Sequence, residues 1–250
     1  MKTKVFALVL GLITISTFAQ KNELKTADKA IKIEDYSAAM TAITAAESLL
    51  SKMDDKSKAK FYFLKAQAYF GKKDYQIATN TFEKLFSLED QIGKKRYTEL
   101  ARTIQSKMVQ EVYQQASDQY AAKDYKNASD SFYLTYVLSP LDTIFIYNAA
   151  VSSSMALDYD NSLKYYKELK DKGYTGITTL YFATSKDSGL KENLETKGNR
   201  DLQVKLGLYK DPVNEQTESK TGDIIKNVAY ILKTQGKTEE AIKAVEEARE

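Results

Sequence analysis

The sequence predicts an all-α chain of consecutive helical hairpins, with one small β-hairpin inserted between the last two of them. Its 250 residues include two prolines and ten glycines, the residue types that most often interrupt helices. The dipeptide Asp-Tyr occurs four times, each time at a break between two helical patterns, at Tyr36, Tyr75, Tyr125 and Tyr159. Self-similarity of this kind indicates a chain made of repeated units.

Residues 1–19 have the pattern of a secretory signal peptide. Two lysines precede an apolar run at 5–15, and a small-x-small pattern ends at Ala19. Cleavage is expected after Ala19, which leaves Gln20 as the first residue of the mature chain. The alternative is an uncleaved membrane anchor, but the apolar run is shorter than the ~20 residues that a membrane span requires.

The residues that follow each tyrosine keep the same spacing. A small residue stands three positions after it, and a large apolar residue stands seven positions after it. In chain order the small residues are Ala39, Ala78, Ala128 and Ser162, and the large ones are Ile43, Phe82, Phe132 and Tyr166. These offsets fall on one face of a helix, which is therefore predicted to be buried. A fifth copy has Thr238 in place of the tyrosine and keeps Ala241, Val245 and Ala248.

The helix before each turn, here called the leading helix of its repeat, follows a pattern as well. Ala66 and Ala150 both lie nine residues before their tyrosines, and Tyr125 and Tyr159 are 34 residues apart. In this frame the chain resembles the tetratricopeptide repeat family, whose period is 34 residues. The resemblance implies a right-handed superhelix of helical hairpins. The alternative is a generic helical bundle with chance Asp-Tyr turns, which five copies in one frame disfavour.

Two intervals between repeats are longer than the period. The first contains an extension at 89–108 that has no helix breaker after Gly93. Apolar residues continue through it at helical spacing, so one long helix is expected from about Lys94 to Ala122. The last two-thirds of this helix is the leading helix of the third repeat.

The second excess is an insert at 173–222, between repeats one to four at 20–172 and the fifth repeat at 223–250. The elements expected in it are a strand at 177–184, a strand at 190–194, a helix at 199–206 and a polar loop at 211–222. The insert and the cleavage signal are similar to those of exported tetratricopeptide proteins of the Bacteroidota. No polar capping helix follows the last repeat, so the natural protein is expected to continue beyond Glu250.

In tetratricopeptide arrays the leading helices line a groove that binds extended peptides, and the resemblance implies a groove at the matching positions here. The candidates combine aromatic rings, which contact side chains, with amides, which bind a peptide backbone. They are Phe63, Gln67, Phe70, Tyr113, Gln114, Ser117, Tyr120, Tyr147, Asn148, Val151, Lys226, Asn227 and Tyr230. The alternative interpretation is that the aromatic residues only pack between repeats.

The composition argues against several kinds of site. Without histidine or cysteine the chain lacks Ser-His-Asp and Cys-His catalysis, the usual zinc and copper ligands, and disulfides. We therefore expect no enzyme, no metal and no cofactor. The net charge of +3 is small, and two of the lysines lie in the predicted signal, so nucleic acid is not an expected partner.

These observations favour an exported scaffold that binds a protein or peptide partner, located in the periplasm or peripherally at the cell envelope. The alternative is a glycan-binding helical-repeat protein. Sugar-binding platforms favour tryptophan, and the chain has none, while repeat positions account for most of its 18 tyrosines. No transmembrane span is expected after removal of the signal.

Overall fold

The computed structural model describes residues 21–247. The predicted signal peptide, its cleavage site at Ala19 and Gln20, and Ala248 of the fifth repeat lie outside this part. The chain divides into two compact units. Unit 1 holds the described residues up to Lys123 together with Asp130–Asp142, and unit 2 holds Asp124–Ser129 together with the residues from Thr143 onward.

Unit 1 consists of helices. In chain order they are α1 (described over residues 21–32), α2 (Tyr36–Glu47), a 3₁₀ turn (Leu50–Lys52), α3 (Asp55–Gly71), α4 (Tyr75–Ile92), α5 (Thr98–Ala121) and the greater part of α6 (Tyr125–Leu138). The leading helix of the first repeat has the weakest sequence pattern, yet α1 is present and buries Leu24, Ala27 and Ala30.

Unit 2 combines helices with a small sheet. After the first turn of α6 it contains α7 (Ile144–Met155), α8 (Tyr159–Asp171), β1 (Thr179–Ser185), β2 (Lys191–Asn193), α9 (Lys197–Lys205), β3 (Tyr209–Gln216), α10 (Thr221–Thr234) and α11 (Thr238–Glu246). Across the described residues, no helix is both long enough and apolar enough to cross a membrane.

One turn geometry recurs at every repeat and explains the Asp-Tyr motif. The aspartate caps the helix that follows: Asp35 Oδ1 accepts from the backbone N–H of Ala38 at 2.9 Å, and Asp158 Oδ1 accepts from that of Asn161 at 3.3 Å. The residue two positions before the tyrosine always has a left-handed backbone. These residues are Glu34, Lys73, Lys123, Leu157 and, in the fifth repeat, Gly236. A local motif therefore reverses the chain at the same place in each repeat.

The predicted buried face is confirmed. The small residues are fully buried, namely Ala39, Ala78, Ala128 and Ser162. The large residues are at most 5% exposed, namely Ile43, Phe82, Phe132 and Tyr166. In the fifth repeat Ala241 is buried as well, whereas Val245 is only half-buried. A small side chain at the first position lets the two helices of a hairpin approach closely, and the larger residue fills the space beside it.

The extension is divided between two helices. Helix α4 runs on to Ile92 and ends at Gly93, whose φ of 64° is left-handed. Helix α5 begins at Thr98 rather than at Lys94, because a carboxylate from the preceding helix caps it there. Glu89 is fully buried and accepts hydrogen bonds from Tyr97 N, Thr98 N and Thr98 Oγ1 at 2.9, 3.0 and 2.8 Å.

The insert contains the predicted hairpin, β1 with β2, and the predicted helix α9. It also contains β3, which pairs antiparallel with β1 where the sequence predicts a polar loop. The sequence of β3 does not reveal a strand, since most of its residues are polar, nearly all are exposed, and Pro212 interrupts them. Pairing with β1 brings Asn214 opposite Tyr181. Arg200 of α9 then lies buried over the Tyr181 ring and donates to Asn214 Oδ1.

Candidate partner-binding site

The predicted groove residues lie on leading helices of both units, α3 and α5 in unit 1 and α7 and α10 in unit 2. Each unit is described by itself. Within each unit, some candidate side chains are exposed and others pack against neighbouring residues. The exposed ones are the better candidates for binding a partner.

The candidates on α3 are engaged in packing. Phe63 is half-buried and stacks on Tyr97 with ring centroids 4.8 Å apart, while Gln67 Nε2 donates to the Phe63 carbonyl at 3.4 Å. Phe70 lies 6.1 Å from the Tyr75 ring, with the ammonium of Lys107 5.8 Å from its own ring centre. These two phenylalanines join α3 to the next helices, so the packing interpretation describes them well.

The candidates on α5 are more exposed. Tyr113 and Tyr120 are 43% and 38% exposed, and their ring centroids lie 6.2 and 6.5 Å from that of Phe132. Gln114 is exposed and its amide donates to Asp118 Oδ1 at 2.8 Å. The Ser117 hydroxyl donates to the Tyr113 carbonyl. This face therefore presents two partly exposed tyrosines, each next to the buried ring of Phe132.

Gln114 also borders an opening of about 540 Å³ between α5 and the turn from α3 to α4. Lys73 and Tyr75 of that turn both bond Glu111 Oε2, at 2.7 and 3.3 Å. The carboxylate of Glu111 raises the pKa of the Lys73 ammonium, and burial raises the pKa of Tyr75. This network fixes the turn against α5 and leaves the amide of Gln114 at the rim.

On α7, the three candidates Tyr147, Asn148 and Val151 are half-buried. The Tyr147 ring lies 6.0 Å from that of Tyr174, which follows α8, and the ammonium of Lys220 lies 5.0 Å from its centre. Tyr174 and Lys220 lie near the two ends of the insert at 173–222. Tyr147 therefore contacts the insert where it leaves and rejoins the repeats.

On α10, one candidate is anchored and two face solvent. Asn227 Nδ2 donates to Tyr166 Oη of α8 at 2.9 Å, which fixes the helix to its neighbour. Lys226 is exposed and pairs with Asp223 at 3.5 Å, and Tyr230 is 62% exposed. Because residues 226, 227 and 230 share one side of a helix, the anchoring amide and the exposed pair lie together.

Two tyrosines that the sequence does not mark as site residues complete this region. Tyr166 occupies the large buried position of its repeat, and Tyr174 follows the end of α8. Burial raises the pKa of each to about 12, so both hydroxyls are protonated at neutral pH. Within residues 21–247, the buried Oη of Tyr174 has no hydrogen-bond partner.

Together this region supplies hydroxyls, an amide and rings, which are groups that bind polar and aromatic surfaces. They belong to Tyr147, Tyr166, Tyr174 and Asn227. In the part of the chain that the structure describes, no group of three or more acidic, histidine or cysteine side chains is placed to hold a metal ion.

Comparisons with known proteins give distant likenesses only. No family model and no curated protein matches the chain. Among solved structures it is similar to a mutant of MamA, at 12% identity and a TM-score of 0.33, covering 93% of this chain and 91% of that one. It is also similar to MamA of AMB-1, at 11% identity and 0.34, covering 93% and 98%. A third likeness is to BtubC from P. vanneervenii, at 13% and 0.32, covering 92% and 89%. Similarity at this level assigns neither a family nor a partner to the chain.

Proposed function

We propose that the chain is an exported scaffold that binds an extended segment of a protein partner on the exposed sides of its leading helices. The observation that carries this proposal is the exposed pair on α10, in which Tyr230 is 62% exposed and Lys226 is exposed as well. The same helix is fixed to α8 through Asn227. The function is binding rather than catalysis.

Preorganisation makes α10 a better binding element than α3. The bond between Asn227 and Tyr166 fixes the helix before any partner arrives, so that less ordering entropy is lost on binding. An exposed tyrosine gives a large apolar contact with few rotatable bonds and carries a hydroxyl that bonds a peptide backbone. In contrast, the rings of Phe63 and Phe70 are already covered by unit 1.

The proposal includes the route of the protein through the cell. The basic and apolar pattern of residues 1–19 supports removal of a signal peptide, with Gln20 as the mature N-terminus, and a place in a cell-envelope assembly. Mass spectrometry of the protein purified from its natural source tests this part. A mature chain that begins at Gln20 supports it, whereas a peptide containing residues 2–4 contradicts it.

Site-specific photo-crosslinking tests the binding proposal. A photoreactive phenylalanine replaces Tyr230 in one variant and Ile242, an exposed residue on the trailing helix α11, in the other. We expect position 230 to capture one stoichiometric protein from an envelope extract and position 242 to capture none. The variants Tyr230→Ala and Ile242→Ala then give the matched comparison in a pull-down, with loss of the partner only for the first.

Two outcomes would overturn the proposal. One is equal capture from both positions, which would show that α10 is not a specific binding element. The other is retention of the protein on polysaccharide columns, sensitive to Tyr230→Ala, without a captured protein. That second result would make the chain a glycan-binding protein.

A further inference from the structure

The loop between α4 and α5 borders a recess that none of the groove candidates line. The recess has a volume of about 690 Å³ and is bounded by the first turns of α3, the end of α4 and this loop. Its lining includes the basic side chains Lys56, Lys94, Lys95 and Arg96 together with Ala59 and Ile92. The whole recess belongs to unit 1.

The two acidic side chains that line the recess are already engaged. The carboxylate of Glu89 is buried and bonded to the first residues of α5. Asp55 lies 3.6 Å from the ammonium of Lys58. The donors to Glu89 are neutral, so its negative charge remains, and the lining holds four basic and two acidic side chains, a net charge of +2.

Most of the basic groups in the rim lack an acidic partner. Lys95 pairs with Asp90 at 3.0 Å. Among residues 21–247, no carboxylate lies within 4.0 Å of the charged groups of Lys56, Lys94 or Arg96. Three cations from two separate elements therefore line one recess without a carboxylate at ion-pair distance.

We propose that this recess, here called the basic recess, binds an acidic segment of a protein partner. Charge complementarity supports this occupant, because four basic side chains against two acidic ones give the lining a net charge of +2, which attracts a segment rich in carboxylates. Ala59 and Ile92 give the recess an apolar wall, which suits the aliphatic part of glutamate side chains. The volume exceeds the space that a single small anion fills and lies in the range of ligand pockets.

This inference rests on the proposed function, since it names the chemistry of a partner for the same scaffold. It adds a second contact, separate from α10, at the segment that lengthens the repeat. Nucleic acid is disfavoured as the occupant because the net charge of the chain is only +3 and the basic side chains of the rim are confined to one recess.

Fluorescence anisotropy with labelled peptides tests the basic recess in the full chain. The probe is a short peptide in which glutamates flank leucines, and its control has glutamine in place of every glutamate. We expect binding of the first peptide only, weakening as NaCl rises from about 50 to 300 mM. The variant Lys94→Glu/Arg96→Glu should weaken binding roughly tenfold.

A matched variant separates the recess from general charge effects. Lys25→Glu/Lys29→Glu makes the same change of charge on α1, where both lysines are exposed. We expect it to leave the affinity within about twofold. Because Lys94 and Arg96 are exposed, their substitution should leave the melting temperature unchanged. The neutral variant Lys94→Gln/Arg96→Gln should lose less affinity for the acidic peptide than the charge-reversed variant does.

Three results would overturn the basic recess: equal losses in the two charge-reversed variants, equal binding of the glutamine peptide, or displacement of the peptide by equimolar inorganic phosphate. The outcomes also separate this inference from the proposed function. If photo-crosslinking at position 230 captures a partner while the acidic peptide does not bind, the recess fails alone. If the peptide binds at the recess but position 230 captures nothing, the groove proposal fails instead.

Discussion

The repeats and the two segments that interrupt them are stabilised in different ways. In a repeat, the turn is closed by residues that are neighbours in the chain, as when Asp158 caps α8 three residues further on. In the extension, Glu89 caps α5 from inside the preceding helix and is completely buried. In the insert, Arg200 is held by Asn214 of a strand that follows it.

The difference teaches where single substitutions should matter. A repeat turn rests on backbone conformation and one exposed cap, so its changes should cost little. A hairpin seam or a buried carboxylate has no room and no solvent, so its changes should cost much. Four substitutions test this contrast, from the largest expected effect to the smallest.

The largest effect is expected in a hairpin seam. Ala128 is fully buried, so Ala128→Arg would force a long charged side chain between packed helices. We expect a loss of about 4 kcal/mol in the free energy of unfolding, or no folding at all, measured by urea denaturation. The control Ala38→Arg lies at an exposed position of α2 and should change stability by less than about 0.5 kcal/mol. Unchanged stability of Ala128→Arg would show that the repeat frame is misplaced.

The buried carboxylate of the extension should come next. Glu89→Gln removes the charge that faces the N-terminus of α5 and one of its two acceptor oxygens. We expect a loss of about 2–3 kcal/mol by chemical denaturation, because the donors of Tyr97 and Thr98 lose a buried acceptor. Asp90→Asn is the control, since Asp90 is an exposed residue paired with Lys95, and should cost below about 1 kcal/mol. Equal losses for the two variants would contradict the capping role of Glu89.

A contact between consecutive repeats of unit 1 gives the third test. A Cβ added to Gly71 would lie 2.2 Å from ring atoms of Tyr36. Replacing a helical glycine by alanine ordinarily stabilises, yet here we expect Gly71→Ala to cost about 2 kcal/mol because the ring must move. Gly222→Ala in α10 meets nothing within 4 Å and should gain about 0.5 kcal/mol. Calorimetry of both variants decides it, and a gain in both would mean that Tyr36 moves aside freely.

The smallest effect is expected at a repeat turn, and it has the opposite sign. Leu157 is 70% exposed and has a left-handed φ of 61°, which disfavours a side chain with a Cβ. Leu157→Gly should therefore stabilise unit 2 by about 1 kcal/mol, measured as a rise in melting temperature. Leu141→Gly, at a 95% exposed residue with no left-handed backbone, should not stabilise. A rise for both would remove the conformational explanation.

The candidate site could be predicted only in part. Repeat spacing placed Asn227 and Tyr230 on one side of α10, and the structure leaves Tyr230 exposed there. The same spacing placed Phe63 in the groove, although its ring stacks on Tyr97 of the extension. Tyr174 belongs to no repeat position, so repeat spacing does not mark it, and only the fold brings it to Tyr147.

By itself, the sequence determined the repeat frame, the turns and the buried face of each hairpin. These features depend on residues within about ten positions of one another, and a 3.6-residue helical period makes such spacing visible. Tertiary structure alone decided where α5 begins, that β3 joins the sheet, and which groove residues remain exposed. Each of these depends on a partner from another element, as Glu89 is for Thr98 and β1 is for β3. The spacing of residues within one helix does not show which residues of other elements they will contact. The free energy that each such contact contributes depends on how far the fold buries it.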